Sequence, residues 1–267
     1  MSEKLEGHRA RKRFGQNFLH DIHWIARIVA AIDPRPGQNL IEIGPGQAAL
    51  TRELIKGAGH VSAVEIDRDL AAWLRTQFTE EQLTLIQADA LKYDWRGLVD
   101  QAPVRIVGNL PYNISSPLLF ELAEVADGVI DQHFMLQKEV VDRMVAGPGS
   151  KTYGRLSVML QYHYTLRKMF DVPPGAFNPA PQVTSSIVRM IPKPASEIEP
   201  VDPKVFSRVV AAAFGQRRKT LRNALSEVMN EEAIRAAGVE PGARAETLDL
   251  KAFVRLAQVA ASLPPAA

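Results

Sequence analysis

The segment Leu40-Ile41-Glu42-Ile43-Gly44-Pro45-Gly46-Gln47-Ala48-Ala49-Leu50-Thr51 constrains the fold more than any other part of the chain. It reads as a buried strand, a glycine turn and a helix start. Glycines tolerate unusual backbone angles and close approach, so such a turn lets a ligand touch main chain just outside the carboxyl end of a strand. A second apolar run, His60-Val61-Ser62-Ala63-Val64-Glu65-Ile66-Asp67, places Glu65 about 20 residues on, where the doubly wound pattern sets an acidic residue on ribose hydroxyls. A third, Leu83-Thr84-Leu85-Ile86-Gln87-Ala88, ends at Asp89, whose carboxylate suits an adenine amino group. Each acid has a plainer reading as well, Asp89 as an N-cap and Glu65 as a solvated strand end. A dinucleotide oxidoreductase would look similar to this point. Ala49 at the third glycine position and Pro45 within the turn weaken that reading without excluding it.

Helical segments near Ile22 to Ala31, Ala48 to Lys56, Asp69 to Phe78, Pro117 to Ala123 and Lys138 to Val145 separate these runs, which calls for a parallel sheet with crossover helices. Gln132 to Leu136 supplies a fifth strand, and Leu166 to Val172 with Ser186 to Ile191 read as two closing strands. Residues 191–203 contain four prolines and few apolar anchors, which marks a boundary. Beyond it, Val205 to Phe214, Arg218 to Met229, Glu231 to Ala237 and Leu250 to Ser262 have helical patterning. The expected organisation is an α/β chain with a basic leader over 1–19, a Rossmann-like sheet domain over 20–193 and a small all-helical domain over 200–267.

Asn109-Leu110-Pro111-Tyr112, just after the apolar run Val104 to Gly108, carries the most chemistry. An exocyclic aromatic amine is a poor nucleophile because its lone pair is delocalised into the ring. The Asn109 side-chain oxygen and the Leu110 carbonyl can each accept an amino hydrogen, Pro111 stiffens the turn, and Tyr112 can stack on a base. The same tetrapeptide also fits an Asx-turn closing a strand.

Net charge is only +2, from 32 basic and 30 acidic residues, so bulk electrostatics alone do not identify a nucleic-acid binder. The distribution says more. Arg9, Arg11, Lys12 and Arg13 form one cluster, and Arg217, Arg218, Lys219 and Arg222 another without an intervening acid. Such clusters suit phosphates, although a solvated helix face is the commoner meaning of a charge run. The absence of cysteine removes disulfides, thiolate catalysis and most structural zinc, and fits a cytosolic protein. No run approaches a membrane span and no signal peptide precedes the polar, basic start. His20 and His23 lie three apart without a third ligand at metal-like spacing, so no metal is expected.

Taken in order, Arg11 to Leu19, the glycine turn, Val64-Glu65-Ile66-Asp67, Gln87-Ala88-Asp89-Ala90, Asn109 to Pro117, Tyr153-Gly154-Arg155-Leu156-Ser157 and Phe177 to Ser186 give a chain that resembles the ribosomal RNA adenine N6,N6-dimethyltransferases over nearly its whole length, and most closely the bacterial small-subunit branch. The resemblance implies a class I methyltransferase sheet and S-adenosyl-L-methionine as methyl donor. It implies that Gln16, Asn17, Leu19, Gly44, Glu65, Asp89, Ala90 and Asn109 line the donor site, and that Phe177 joins Tyr112 in gripping a flipped adenine. It further implies methylation of two adjacent adenosines in the 3′-terminal hairpin loop of 16S rRNA in the immature small subunit, with the helical domain and the basic residues on RNA. We expect a cytoplasmic monomer. Two departures stand out: His20, where the family often has a polar residue such as Asn, and Gln47-Ala48, in place of a common Gly-containing pair.

Overall fold

The computed structural model describes residues 16–100, 103–216 and 218–263. They divide into two compact units. The first holds the described residues up to Val141 together with Leu166–Pro192, and the second holds Asp142–Thr165 together with the chain from Lys193 onward.

The first unit is built on a seven-stranded sheet. Its strands are β2 (Leu40–Ile43), β3 (Val61–Glu65), β4 (Leu83–Gln87), β5 (Val104–Asn109), β6 (Val129–Gln137), β7 (Tyr164–Val172) and β9 (Ser185–Pro192), in the order β4-β3-β2-β5-β6-β9-β7. The first five pair in parallel, and β9 runs antiparallel to β6. This is the Rossmann-like class I methyltransferase sheet that the resemblance implies. A separate two-stranded sheet joins β1 (Phe18–Leu19) to β8 (Phe177–Asn178), antiparallel.

Strand β2 is buried at all four positions, as expected of a parallel strand covered on both faces. Helices α1 (Ile22–Ile32), α2 (Thr51–Ala58) and α3 (Arg68–Gln77) contribute Ile28, Ile32, Leu54, Ile55 and Leu74 to one apolar core with Leu40, Ala63 and Val107 from the sheet. Asp21 caps α1 by accepting from the His23 and Trp24 amides, and Asp67 caps α3 by accepting from the Asp69 amide. At Gly108 a side chain has no room, because a Cβ there would sit 2.6 Å from the Ile43 carbonyl oxygen of the adjacent strand.

The opposite end of the sheet carries a buried charge network. Arg105 at the start of β5 donates to both oxygens of Asp131 at 2.7 and 3.1 Å, to the carbonyls of Ile32 and Asp33, and to Gln38. Arg189 donates to the same Asp131 at 3.0 Å. Burial alone would raise the Asp131 pKa, yet the bonds from Arg105 and the surrounding positive charge hold it below its ordinary value. His133, 3% exposed, lies beside them with Nδ1 3.7 Å from Asp131 Oδ1 and neither ring nitrogen hydrogen-bonded among the described residues, and burial pushes its pKa down to about 4.

The second unit has its own core. Helices α7 (Arg155–His163), α8 (Pro203–Gly215), α9 (Leu221–Ala224), α10 (Glu231–Ala236) and α11 (Leu250–Ser262) enclose Tyr153, Val158, Phe206, Leu221, Ile234 and Phe253. Tyr153 packs edge-on against Phe214, and Phe214 stacks on Phe253 at 5.4 Å. The Tyr153-to-Ser157 motif is therefore a core anchor and a helix start, in which Ser157 Oγ accepts from the Gly154 amide at 3.1 Å.

Two local expectations change. The span expected as one sheet domain, 20–193, contains Asp142–Thr165, which packs into the helical unit. Its helix α7 buries Leu156, Ser157 and Val158 in succession, so no single apolar stripe announces it. The helix expected from Arg218 to Met229 is helical only over Leu221–Ala224, after which the Ser226 hydroxyl bonds back to the Asn223 carbonyl at 3.2 Å and the chain continues in turns. Residues 1–15, and with them Arg11, Lys12 and Arg13, lie outside the described residues, as does Arg217.

Candidate active site

The order β3-β2-β5 makes a switch point between β2 and β5, where the connections run off in opposite directions and leave a crevice at the strand ends. Ile43 and Gly108 are register partners there, so the next residues along, Gly44 and Asn109, stand side by side. An open cavity of about 980 Å³, its solvent-filled mouth included, occupies this crevice. Gly44, Glu65, Asp89, Ala90, Asn109, Leu110, Pro111 and Tyr112 all line it, with Gln16, Asn17 and Leu19 from the amino-terminal side. Of the expected catalytic and donor-site residues, only Phe177 is missing from that wall. It is 3% exposed, pairs with Leu19 across β1 and β8, and packs in the core with Val172 and Ala176.

The glycine turn takes its shape from left-handed backbone angles at Gly44 (φ 70°) and Gly46 (φ 55°). A Cβ at Gly46 would press on the Phe18 ring at 3.2 Å, so with its left-handed backbone angle glycine lets the turn and the residue 16–19 segment fit without a shift of that ring. Ala48 adopts φ 60° and is fully buried, so this departure from the family pattern places a non-glycine residue in a strained region.

Glu65, 4% exposed, accepts from the Gly46 amide at 3.2 Å through Oε2 and from the Asp67 amide at 2.8 Å through Oε1. It thus fixes the turn while facing the cavity. Burial raises its pKa, and these backbone bonds oppose the rise. Asp67 accepts from Gln16 Nε2 at 3.1 Å, and Asn109 Nδ2 donates to the Asn17 carbonyl at 3.1 Å. The segment beginning at Gln16 is therefore bolted at two points to the site it lines. Because the Asn109 nitrogen is engaged as donor, its Oδ1 is the atom left to accept. Asp89 opens a turn and not a helix, since the next helix is capped by Asp94; its Oδ1 accepts from the Leu91 amide at 3.0 Å, and the residue lines the cavity.

Tyr112 is held by a 2.7 Å hydrogen bond between its hydroxyl and Ser185 Oγ, and burial raises its pKa above the ordinary phenol value. The Leu110 amide donates to the Met135 carbonyl and the Ile114 amide to the Pro111 carbonyl, so the Asn109-to-Tyr112 turn is anchored on both sides. Sequence reasoning missed Glu42 and Ile66 as wall residues. Ile66 is 44% exposed immediately after Glu65, and an outward isoleucine at a strand end was the available signal. Of the expected RNA-binding residues in the helical unit, Arg218, Lys219 and Arg222 are all exposed, and Arg222 also faces Glu231 at 3.6 Å.

Chemically, the described residues of the wall carry three carboxylates, Glu42, Glu65 and Asp89, and no Lys, Arg or His. A pyrophosphate is repelled by such a wall, and a positively charged nucleoside is favoured.

Comparison with known proteins agrees. The family described as ribosomal RNA adenine dimethylase matches residues 7–262. A ribosomal RNA small subunit methyltransferase A of Aromatoleum aromaticum is 56% identical over 98% of both chains, and one of Pseudomonas aeruginosa is 54% identical over 99% of both. Among solved structures, a 23S rRNA methyltransferase, ErmE, is 27% identical with a TM-score of 0.69, covering 92% of this chain and all of its own. A dimethyladenosine transferase from Plasmodium falciparum shares the fold, with a TM-score of 0.74 over 90% of this chain and 95% of its own at 24% identity. The chain belongs to the ribosomal RNA adenine dimethylase family.

Proposed function

We propose that this chain transfers methyl groups from S-adenosyl-L-methionine to the N6 amino groups of two adjacent adenosines in the 3′-terminal hairpin loop of 16S rRNA, within the immature small subunit. The observation that carries the reading is the convergence on one acidic crevice of Gly44, Glu65, Asp89 and the Asn109-to-Tyr112 turn. The site fits the donor: carboxylates for a cationic nucleoside, Glu65 and Asp89 at the expected strand ends, and Ile66 as an apolar surface for a base.

The donor, when bound, supplies an electrophilic methyl on a positively charged sulfur. The protein's own contribution is orientation and the exclusion of water. Asn109 Oδ1 and the Leu110 carbonyl accept from the adenine amino group, direct its lone pair and stabilise the positive charge that develops on nitrogen. No general base is needed before attack, since the nitrogen sheds its proton once it is cationic. Tyr112 offers its ring to the unstacked base, with its hydroxyl tied to Ser185. Tyr112→Ala should lower kcat/KM about 5- to 150-fold, the equivalent of roughly 1–3 kcal/mol of stacking, with little change in melting temperature. The burial of Phe177 makes stability the first cost of Phe177→Leu. A loss of turnover at unchanged stability would instead place that ring on the base.

The exposed Arg218 and Lys219 suit phosphate contacts. Each replacement by Ala should reduce the slope of log affinity against log salt for small subunits by about 1. Replacing Arg222, already paired with Glu231, should change it less. Among the described residues no helix is long and apolar enough to cross a membrane, and no cluster of three His, Cys, Asp or Glu is positioned to hold a metal. Cytoplasmic location and a monomeric state accompany the proposal.

The deciding experiment offers labelled S-adenosylmethionine with unmethylated small subunits, large subunits and duplex DNA in parallel, followed by nucleoside mass spectrometry. Dimethyladenosine from small subunits alone is the expected result. Label in large subunits would select a 23S activity, and label in duplex DNA would overturn the RNA assignment.

A further inference from the structure

One of the three wall carboxyl groups does more than add to the acidity of the cavity. Glu42 sits on β2 one turn beneath the glycine loop, 2% exposed, and still lines the cavity. Among the described residues its Oε2 makes no hydrogen bond at ordinary distance, and neither does Oγ1 of the fully buried Thr51, the hydroxyl that faces it from the start of α2. Leaving a buried carboxylate oxygen unpartnered is costly, and far more so when the group is ionised. Among the described residues, the surroundings offer no compensating cation. Glu65 faces it from β3, α2 presents the Thr51 hydroxyl, its register partners are Ala63 and Val107, and Asp89 adds a third carboxylate to the wall.

We propose that Glu42 is a charge-sensing positioning residue: neutral in the ligand-free pocket, it surrenders its proton when a sulfonium-bearing nucleoside binds and regains it when that ligand is replaced by the uncharged thioether product. Burial and the charge of Glu65, opposed by the nearby Thr51 hydroxyl, raise its pKa to about 7, so both protonation states are accessible near neutrality. A positive charge brought into the same cavity favours the carboxylate, and the thioether sulfur offers no such charge. The bookkeeping balances. Methyl transfer leaves the carbon–sulfur electron pair on sulfur, the attacked amine loses one proton to solvent, and Glu42 takes up one from solvent as the pocket loses its cation. The consequence is discrimination between donor and product that strengthens as pH rises through neutrality. An enzyme that adds several methyl groups must exchange product for donor between transfers.

The inference rests on the donor assignment made above, and the test separates the two. Binding of S-adenosylmethionine and S-adenosylhomocysteine to wild type and Glu42→Gln is measured by calorimetry at pH 7 in buffers of different ionisation enthalpy. Wild type should release about half a proton more than Glu42→Gln on binding the donor, and the two proteins should differ little on binding the product. The wild-type donor-to-product affinity ratio should rise by up to about tenfold per pH unit between pH 6 and 7 and flatten above it, and should stay level in Glu42→Gln. The ligands' own α-amino groups titrate near 8, above that window. The amide mimics the neutral carboxyl, so the variant should keep the wild-type melting temperature at pH 6. The wild-type ratio is informative even if it does not. Equal proton counts in the two proteins, or a wild-type ratio independent of pH, overturns the proposal while leaving the donor assignment standing. Failure of the donor to bind wild type overturns both.

Discussion

Asn109→Ala should lower methyl transfer to small subunits by about 10²- to 10³-fold, the scale lost when one preorganised group facing developing charge is removed. Both the first and the second methylation of each adenosine should suffer. The monomethylated nitrogen retains one hydrogen and depends on the same acceptors to hold its lone pair toward the donor. The side chain has a second task that sets a floor for the effect. Its amide nitrogen holds the Asn17 carbonyl at 3.1 Å, and losing one such bond is worth about 1 kcal/mol, or roughly fivefold. Single-turnover rates together with donor affinity separate the two contributions. A rate within fivefold of wild type would reduce Asn109 to a latch on the residue 16–19 segment and would remove the proposed mechanism.

Arg105→Met should destabilise the protein by about 3–5 kcal/mol in denaturant unfolding, although it lies at the end of the sheet away from the cavity. The substitution leaves Asp131, 2% exposed, with Arg189 as its remaining arginine, and strips a donor from the carbonyls of Ile32 and Asp33 at the end of α1. Arg105→Met with Asp131→Leu should recover much of the loss, because the cost comes from the orphaned charge more than from the missing pair. A change below 1 kcal/mol in the single variant would show that Arg189 and solvent suffice. The same network sets the acid limit. His133 has a folded pKa of about 4 against an ordinary 6.5, so the stability linked to its neutral form is complete above pH 6.5 and drains away as pH falls toward 4. Asp131, whose folded pKa is depressed, adds a loss that begins only below the ordinary carboxylate pKa. Unfolding measured from pH 7 to 5 should show a loss carried by His133 and, with the same sign, by His163, whose pKa burial also lowers, while Glu42, raised to about 7, opposes it; His133→Gln should remove the His133 share of that loss.

The parallel sheet was legible because its strands are short, β-branched and apolar, and because glycine and acidic residues punctuate their ends in order. Gly44, Glu65, Asp89 and Asn109 come together at the cavity for that reason: strand order converts their sequence spacing into adjacency. Glu42 escaped notice since β2 is buried on both faces, so alternation gives no hint of which way a lone carboxylate points. Phe177 was placed by resemblance, and its burial depends on the long-range pairing of β1 with β8, which no local pattern encodes. The assignment of 142–165 was equally non-local. Tyr153 and Val158 declare themselves core residues only once Phe206 and Phe253, far along the chain, are beside them.

That last arrangement limits how such a protein can be rebuilt. The helical unit is assembled from two stretches, one embedded ahead of the last two strands of the sheet and one trailing behind them. Cutting the chain at the proline-rich stretch would not release a clean catalytic half. It would leave Tyr153, Leu156 and Val158 bare, a sticky apolar surface on an otherwise intact sheet. Grafting a foreign helical unit would require two splices made together, each useless without the other. Inheritance by simple end-to-end fusion is closed to this architecture, and new versions of the unit must arise by gradual change within it.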